Sequence, residues 1–161
     1  MKWVVGIDEV GRGPLAGPVA VGVVLVPADF DWSRLPGVTD SKALTPAARE
    51  RIFAAAQDLQ HHRQLHFAVA MVGSSVIDSE GIVPAVNQAM DRALVRLGLL
   101  SPNNNAPRAV RPSAHTYETV PECSVKLDGG LRAPACFTQQ ETIIKGDAKE
   151  PVIGLASILA K

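Results

Sequence analysis

Residues 3–26 read WVVGIDEVGRGPLAGPVAVGVVLV, and how this stretch divides decides the fold. Trp3 to Ile7 is an apolar run that ends on the carboxylates of Asp8 and Glu9. Gly11, Gly13, Pro14 and Gly17 follow, and Val19 to Val26 is apolar again. Two β-branched runs separated by a glycine- and proline-rich segment predict two strands joined by a turn. Working outward, Pro27 to Val38 holds Pro27, Pro36 and Gly37 and reads as loop. Thr45-Pro46 places a cap and a proline at the start of a helix through about Leu59. Leu65, Phe67, Val69 and Met71 alternate with smaller or polar residues and predict a third strand.

Beyond Ser74 the period changes. Ile82, Val86, Ala89, Met90, Ala93, Leu94 and Leu97 recur at helical spacing up to Gly98, a natural helix end. Ser101 to Cys123 contains Pro102, Pro107, Pro112, Pro121 and three consecutive asparagines, and is expected to be an exposed loop without regular structure. Ser124–Leu127 and Thr142–Ile144 predict two further short strands, the first ending at Asp128-Gly129-Gly130 and the second at Lys145-Gly146-Asp147. A final helix begins near Pro151 and is still running at Lys161. Three strands followed by interleaved helices and strands describe an α/β domain over residues 1–161, a mixed sheet with helices on both faces. Aspartates at strand ends point to a site along one edge of that sheet.

The 161 residues are 47% hydrophobic and 20% charged, which excludes a disordered chain. Sixteen basic side chains balance 16 acidic ones, so any polyanion must be held by local groups rather than by a general field. No apolar run is long enough to cross a bilayer, and no signal peptide precedes Asp8. Cys123 and Cys136 lack the spacing of a zinc site and are read as reduced. These features together predict a cytoplasmic, monomeric protein.

Asp8 and Glu9 lie where a rigid strand meets a flexible turn, a position that presents carboxylates to a hard divalent cation such as Mg²⁺. An acidic strand terminus with no ligand accounts for the pair equally well. Adjacent residues also face opposite sides of a strand, so both serve one site only where the strand twists or ends. Asp128, before two glycines, fits either an ordinary Asp-Gly turn or a ligand. If its strand neighbours that of Asp8, three carboxylates converge with no cationic residue immediately adjacent to any of them in sequence, which is costly without a metal. Gly11-Arg12-Gly13 offers backbone amides and a guanidinium, suited to a phosphate or a sugar hydroxyl. Lys42, Lys145 and Lys161 are candidate phosphate contacts.

Taken together, Gly6 to Pro18, Asp40-Ser41-Lys42-Ala43-Leu44, Leu127-Asp128-Gly129, Lys145-Gly146-Asp147 and Ala156 to Lys161 resemble ribonuclease HII, with the blocks in the same order. The resemblance covers nearly the whole chain except Ser101 to Cys123, which looks like an insertion. It implies a ribonuclease H-like, mixed five-stranded sheet with helices on both faces and with the family's C-terminal helices missing. The implied activity is endonucleolytic cleavage of the RNA strand of RNA–DNA hybrids, and of the 5′ side of single ribonucleotides in duplex DNA, with Mg²⁺ or Mn²⁺. Asp8, Glu9 and Asp128 match the metal-binding acids. Gly11, Arg12 and Gly13 match the segment that recognises the 2′-hydroxyl, and Lys42, Lys145, Ser157 and Lys161 fall in motifs that line the substrate cleft.

The resemblance also places a fourth acid in an Arg-Asp pair beyond Lys161; undiminished cleavage without it would point to another carboxylate, Asp147, in that role. A sliding-clamp partner would be reached through a C-terminal peptide that this sequence does not include. A catalytically impaired hybrid-binding fragment of the same family is the alternative. Ribonuclease HIII fits less well, because no additional substrate-binding domain precedes Met1. An actin-like phosphotransferase fits less well again, because the chain is too short for two such domains.

Overall fold

The computed structural model describes residues 2–11, 17–38, 44–101, 104–107 and 122–161. Arg12, Gly13 and Lys42, three of the expected substrate contacts, lie outside the described residues.

The central strand is β1 (Trp3–Val10). It pairs antiparallel with β2 (Val19–Pro27), and β2 in turn pairs antiparallel with β3 (His66–Val72). Chain order then gives the two-stranded pair of β4 (Leu100–Ser101) and β5 (Asn104–Pro107). On the other side of β1, β6 (Cys123–Asp128) and β7 (Gln140–Ile143) are added in parallel, so the five-stranded sheet runs β3-β2-β1-β6-β7. All five predicted strands are present and the sheet is mixed, as expected. The β4–β5 pair corrects the expectation of no regular structure at Ser101 and Asn104–Pro107, since Pro107 is tolerated at the end of a strand in a two-stranded sheet, where every strand is an edge; the rest of the expected loop, 102–103 and 108–121, lies outside the described residues.

Alternation along β1 and β2 sorts their side chains onto two cores. Trp3, Val5, Ile7, Val19, Val21, Val23 and Leu25 face one side. There they meet α3 (Ile82–Arg96) through Val86, Ala89, Met90, Ala93 and Leu94, the apolar stripe read from its spacing. Val24 and Val26 face the other side, against α1 (Pro46–His61) and α5 (Pro151–Ala160). Helices therefore cover both faces.

Helix α1 starts where predicted, with Thr45 Oγ1 accepting the amide of Ala48 and Pro46 in the first turn. Helix α2 (Ser74–Glu80) has no counterpart in the sequence reading, because of its seven residues only Val76 and Ile77 pack, half-buried, on the core, too few to make a readable stripe. It is separated from α3 by Gly81 at φ 93°, a conformation that other residues rarely adopt.

Helix α5 has no polar face: every residue from Val152 to Leu159 is buried. It also lies unusually close to the sheet. A methyl group on Gly6 would stand 2.3 Å from the carbonyl oxygen of Val152, and one on Gly22 would stand 2.3 Å from that of Ala156. The two glycines, on adjacent strands, form a flat seat that lets the helix backbone touch the sheet backbone.

Candidate metal centre

Asp8 sits near the end of β1 and Asp128 is the last residue of β6. These strands are parallel neighbours with Ile7 opposite Leu127. One further step along the register brings Asp8 level with Asp128. Both point away from the core that holds Ile7, Val125 and Leu127, toward the face that carries α5.

The third carboxylate arrives through β7, which pairs Asp128 with Ile143. Two residues on, Lys145 takes the left-handed conformation, φ 54° and ψ 42°, and turns the chain into the short helix α4 (Gly146–Lys149). That turn aims the Gly146 amide at Asp128 Oδ1, to which it donates a 2.6 Å hydrogen bond. Asp147 is the next residue and is buried. One carboxylate oxygen each from Asp8, Asp128 and Asp147 lies within 4.8 Å of the others.

Asp8 is only 3% exposed. Burial, reinforced by the negative charges of Asp128 and Glu9, pushes its carboxyl up from the ordinary range to about 8. Two hydrogen bonds work the other way: the Ser157 hydroxyl donates to the Asp8 carboxylate, and the Glu9 amide donates to Asp8 Oδ1 at 2.8 Å. Ser157 is in place because α5 rests on Gly6 and Gly22. Gly22 is the register partner of Asp8, and Ala156, the neighbour of Ser157, lies directly over it.

Of the acids singled out in the sequence, Asp8 and Asp128 are brought together. Glu9 is not one of the three clustered aspartates. It stays in the ladder opposite Val21, on the opposite side of the strand from Asp8, and reaches the cluster through its charge. Gly11 takes φ 97°, and a methyl group there would stand 2.5 Å from the Pro18 carbonyl oxygen, so the turn requires glycine at this position. Lys145 is exposed at the rim of the cluster. Ser157 is 3% exposed and turned toward Asp8, so its place in the structure is behind the acids and not on an open substrate surface. Lys161 is exposed after the last turn of α5, beside a groove shared with Arg49, Phe53 and Met71.

Sequence reasoning leaves Asp147 out of the metal-binding acids and names it only as a substitute for an acid beyond Lys161, whereas the structure places it directly in the cluster. The cluster holds its third aspartate within the chain. The only signal in the sequence is that Lys145-Gly146-Asp147 follows a predicted strand; unlike Asp8 and Asp128, Asp147 lies beyond its strand, in α4.

Comparison with known proteins agrees with this geometry. Residues 5–161 match the family described as Ribonuclease HII. A curated ribonuclease HII of Endomicrobium trichonymphae is 37% identical over 158 residues, covering 98% of this chain and 62% of that protein. The ribonuclease H2 of Pyrococcus horikoshii OT3 superposes with a TM-score of 0.63 at 26% identity, over 98% of this chain and 70% of that one. Bst-RNase HIII in complex with Mn²⁺ shares the fold, with a TM-score of 0.67 at 21% identity, over 98% of this chain and 50% of that one. The chain spans 62% of the length of the first of these curated relatives and 51% of that of a ribonuclease HII from Geobacillus thermodenitrificans. On the match across residues 5–161, the chain belongs to the ribonuclease HII family.

Proposed function

We propose that this chain carries the metal-dependent centre of an endonuclease that hydrolyses the RNA strand of RNA–DNA hybrids and cuts 5′ of single ribonucleotides embedded in duplex DNA. The observation that carries this reading is the meeting of Asp8, Asp128 and Asp147, from three separate segments, within 4.8 Å. Like charges so close, with Asp8 and Asp147 buried, are unfavourable unless a cation offsets them, and the raised proton affinity of Asp8 is the same desolvation and repulsion expressed in a metal-free protein. The donors are all carboxylate oxygens, which suits Mg²⁺ or Mn²⁺ and not a thiolate- or imidazole-seeking ion. The Mn²⁺ complex of the structurally similar Bst-RNase HIII supports the same choice.

Asp8, Asp128 and Asp147 would hold the cation, with Glu9 contributing charge. Two ions bound there would supply an activated water and would stabilise the leaving 3′ oxygen, giving 5′-phosphate and 3′-hydroxyl ends. Ser157 keeps the Asp8 carboxylate oriented. Gly11, Arg12 and Gly13 would recognise the ribose 2′-hydroxyl, while Lys42, Lys145 and Lys161 would contact phosphates. The partner is thus a hybrid or a ribonucleotide-containing duplex. No described helix is long and apolar enough to cross a membrane, and Cys123 and Cys136 are not disulfide-bonded, in keeping with work in the cytoplasm.

The test is single-turnover cleavage, in Mg²⁺ and in Mn²⁺, of an RNA–DNA hybrid, a DNA duplex with one ribonucleotide, and the all-DNA duplex. The expected result is cutting of the first two only, 5′ of a ribonucleotide. Cation-dependent binding without cutting would leave the hybrid-binding alternative, and cutting of all three would refute ribose recognition.

A further inference from the structure

The segment that presents Asp147 hangs from β6 at two points. One is the hydrogen bond from Gly146 to Asp128 already described. The other is an ion pair: Lys126 Nζ lies 2.9 Å from Glu150 Oε2, with both side chains about two-thirds to three-quarters buried. Lys126 and Asp128 are two residues apart on one strand, so they share a face and lie roughly 7 Å apart. Gly146 and Glu150 close the span from the other side, the Glu150 amide donating to the Gly146 carbonyl at 2.8 Å. Asp147 is held between the two attachments.

Glu150 is also the residue that launches α5. It stands at the N-cap position, yet its carboxylate makes no capping hydrogen bond and is turned to Lys126 instead. Its carbonyl accepts the amides of Ile153 and Gly154, at 3.0 and 2.9 Å, and so begins the helix that delivers Ser157 to Asp8.

We propose that the Lys126–Glu150 ion pair is a positioning device for the metal centre, setting Asp147 against Asp128 and, through the start of α5, Ser157 against Asp8. This rests on the reading of the three aspartates as metal ligands. The device acts through geometry, and that makes it separable from a simple effect of charge. Through space, loss of the Lys126 cation would strengthen binding of a divalent ion, whereas loss of the Glu150 anion would weaken it. Through geometry, either loss weakens it.

The experiment is calorimetric titration of Mn²⁺ alone into the full chain and into Lys126→Met, Glu150→Gln, Lys126→Arg and the exchanged pair Lys126→Glu/Glu150→Lys, with Asp147→Asn as the control for the site. Both single losses are expected to raise the Mn²⁺ dissociation constant about tenfold, the usual scale for residues that orient ligands. Lys126→Arg is expected to stay close to the parent, and the exchanged pair to recover most of the loss. Opposite effects of Lys126→Met and Glu150→Gln would overturn the proposal in favour of through-space charge. Unchanged affinity in both, with Asp147→Asn weakened, would overturn it alone. An unaltered Asp147→Asn would remove the metal-centre reading beneath it. Circular dichroism checks folding, and should Lys126→Met fail to fold, Lys126→Gln takes its place, because only loss of the lysine charge gives opposite signs under the two accounts: weaker Mn²⁺ binding through geometry, tighter binding through space.

Discussion

The amide of Gly146 and the carboxylate of Asp128, 18 positions apart in sequence, are joined by a 2.6 Å hydrogen bond that turns the residue after Gly146 into the third member of the acidic cluster. Asp128 therefore has two tasks. One oxygen anchors the β7–α4 turn, while the carboxylate as a whole contributes to the site.

Asp147→Asn is expected to weaken Mn²⁺ binding and single-turnover cleavage by at least tenfold, and by at least as much as Glu9→Gln, since Asp147 stands in the cluster and Glu9 acts from the opposite side of β1. Parallel titrations of the two variants check this. A larger loss in Glu9→Gln would mean that the strand rearranges when the cation binds.

Gly22→Ala should act on the centre from behind. Its methyl group would collide with backbone, the Ala156 carbonyl, which no rotamer change can relieve. The helix must lift, at a cost of about 1–3 kcal/mol typical of overpacking, and Ser157 must draw away from Asp8. Urea unfolding and Mn²⁺ titration should both register the change, whereas a drop in stability with unaltered metal affinity would separate the seat of the helix from the site.

The raised proton affinity of Asp8 gives a pH dependence of known sign. Between the usual carboxylate range and about pH 8, the metal-free native state holds a proton that the unfolded chain has released. The contribution of Asp8 to stability is therefore fully present at low pH and is lost as pH rises toward 8, by at most about 1.4 kcal/mol per pH unit for one proton. Urea midpoints at pH 5, 7 and 9 should fall more steeply for the parent than for Asp8→Asn, and saturating Mn²⁺ should flatten the difference.

Ser157→Ala removes a hydrogen bond that favours the ionised Asp8, so the carboxyl should move still higher. Because the cation must displace that proton, Mn²⁺ affinity should drop several-fold at pH 6–7 and converge with the parent above pH 9. A deficit that persists undiminished at high pH would instead indicate a purely steric role.

Much of this protein is determined locally and is legible in its sequence. The period-2 runs around Asp8, the capped start of α1, the stripe of α3 and the uninterrupted apolar character of α5 each depend on neighbours a few residues away. Asp8 and Asp128 were recognisable because each closes or nearly closes such a run. Asp147 enters the sequence reading only as a substitute for an acid beyond Lys161, because its place depends on the β6–β7 register, on the left-handed turn at Lys145 and on an amide that finds a carboxylate 18 residues away. None of these is a property of the residues that flank it. The same holds for Gly6 and Gly22, which in sequence are only small residues within strands and in the fold are the points where α5 touches the sheet. Local pattern decides which elements form, because hydrogen-bond ladders and apolar faces repeat over short distances. Which carboxylates meet is decided by register and close approach between segments far apart in the chain, where a one-residue slip would turn an acid to the other face.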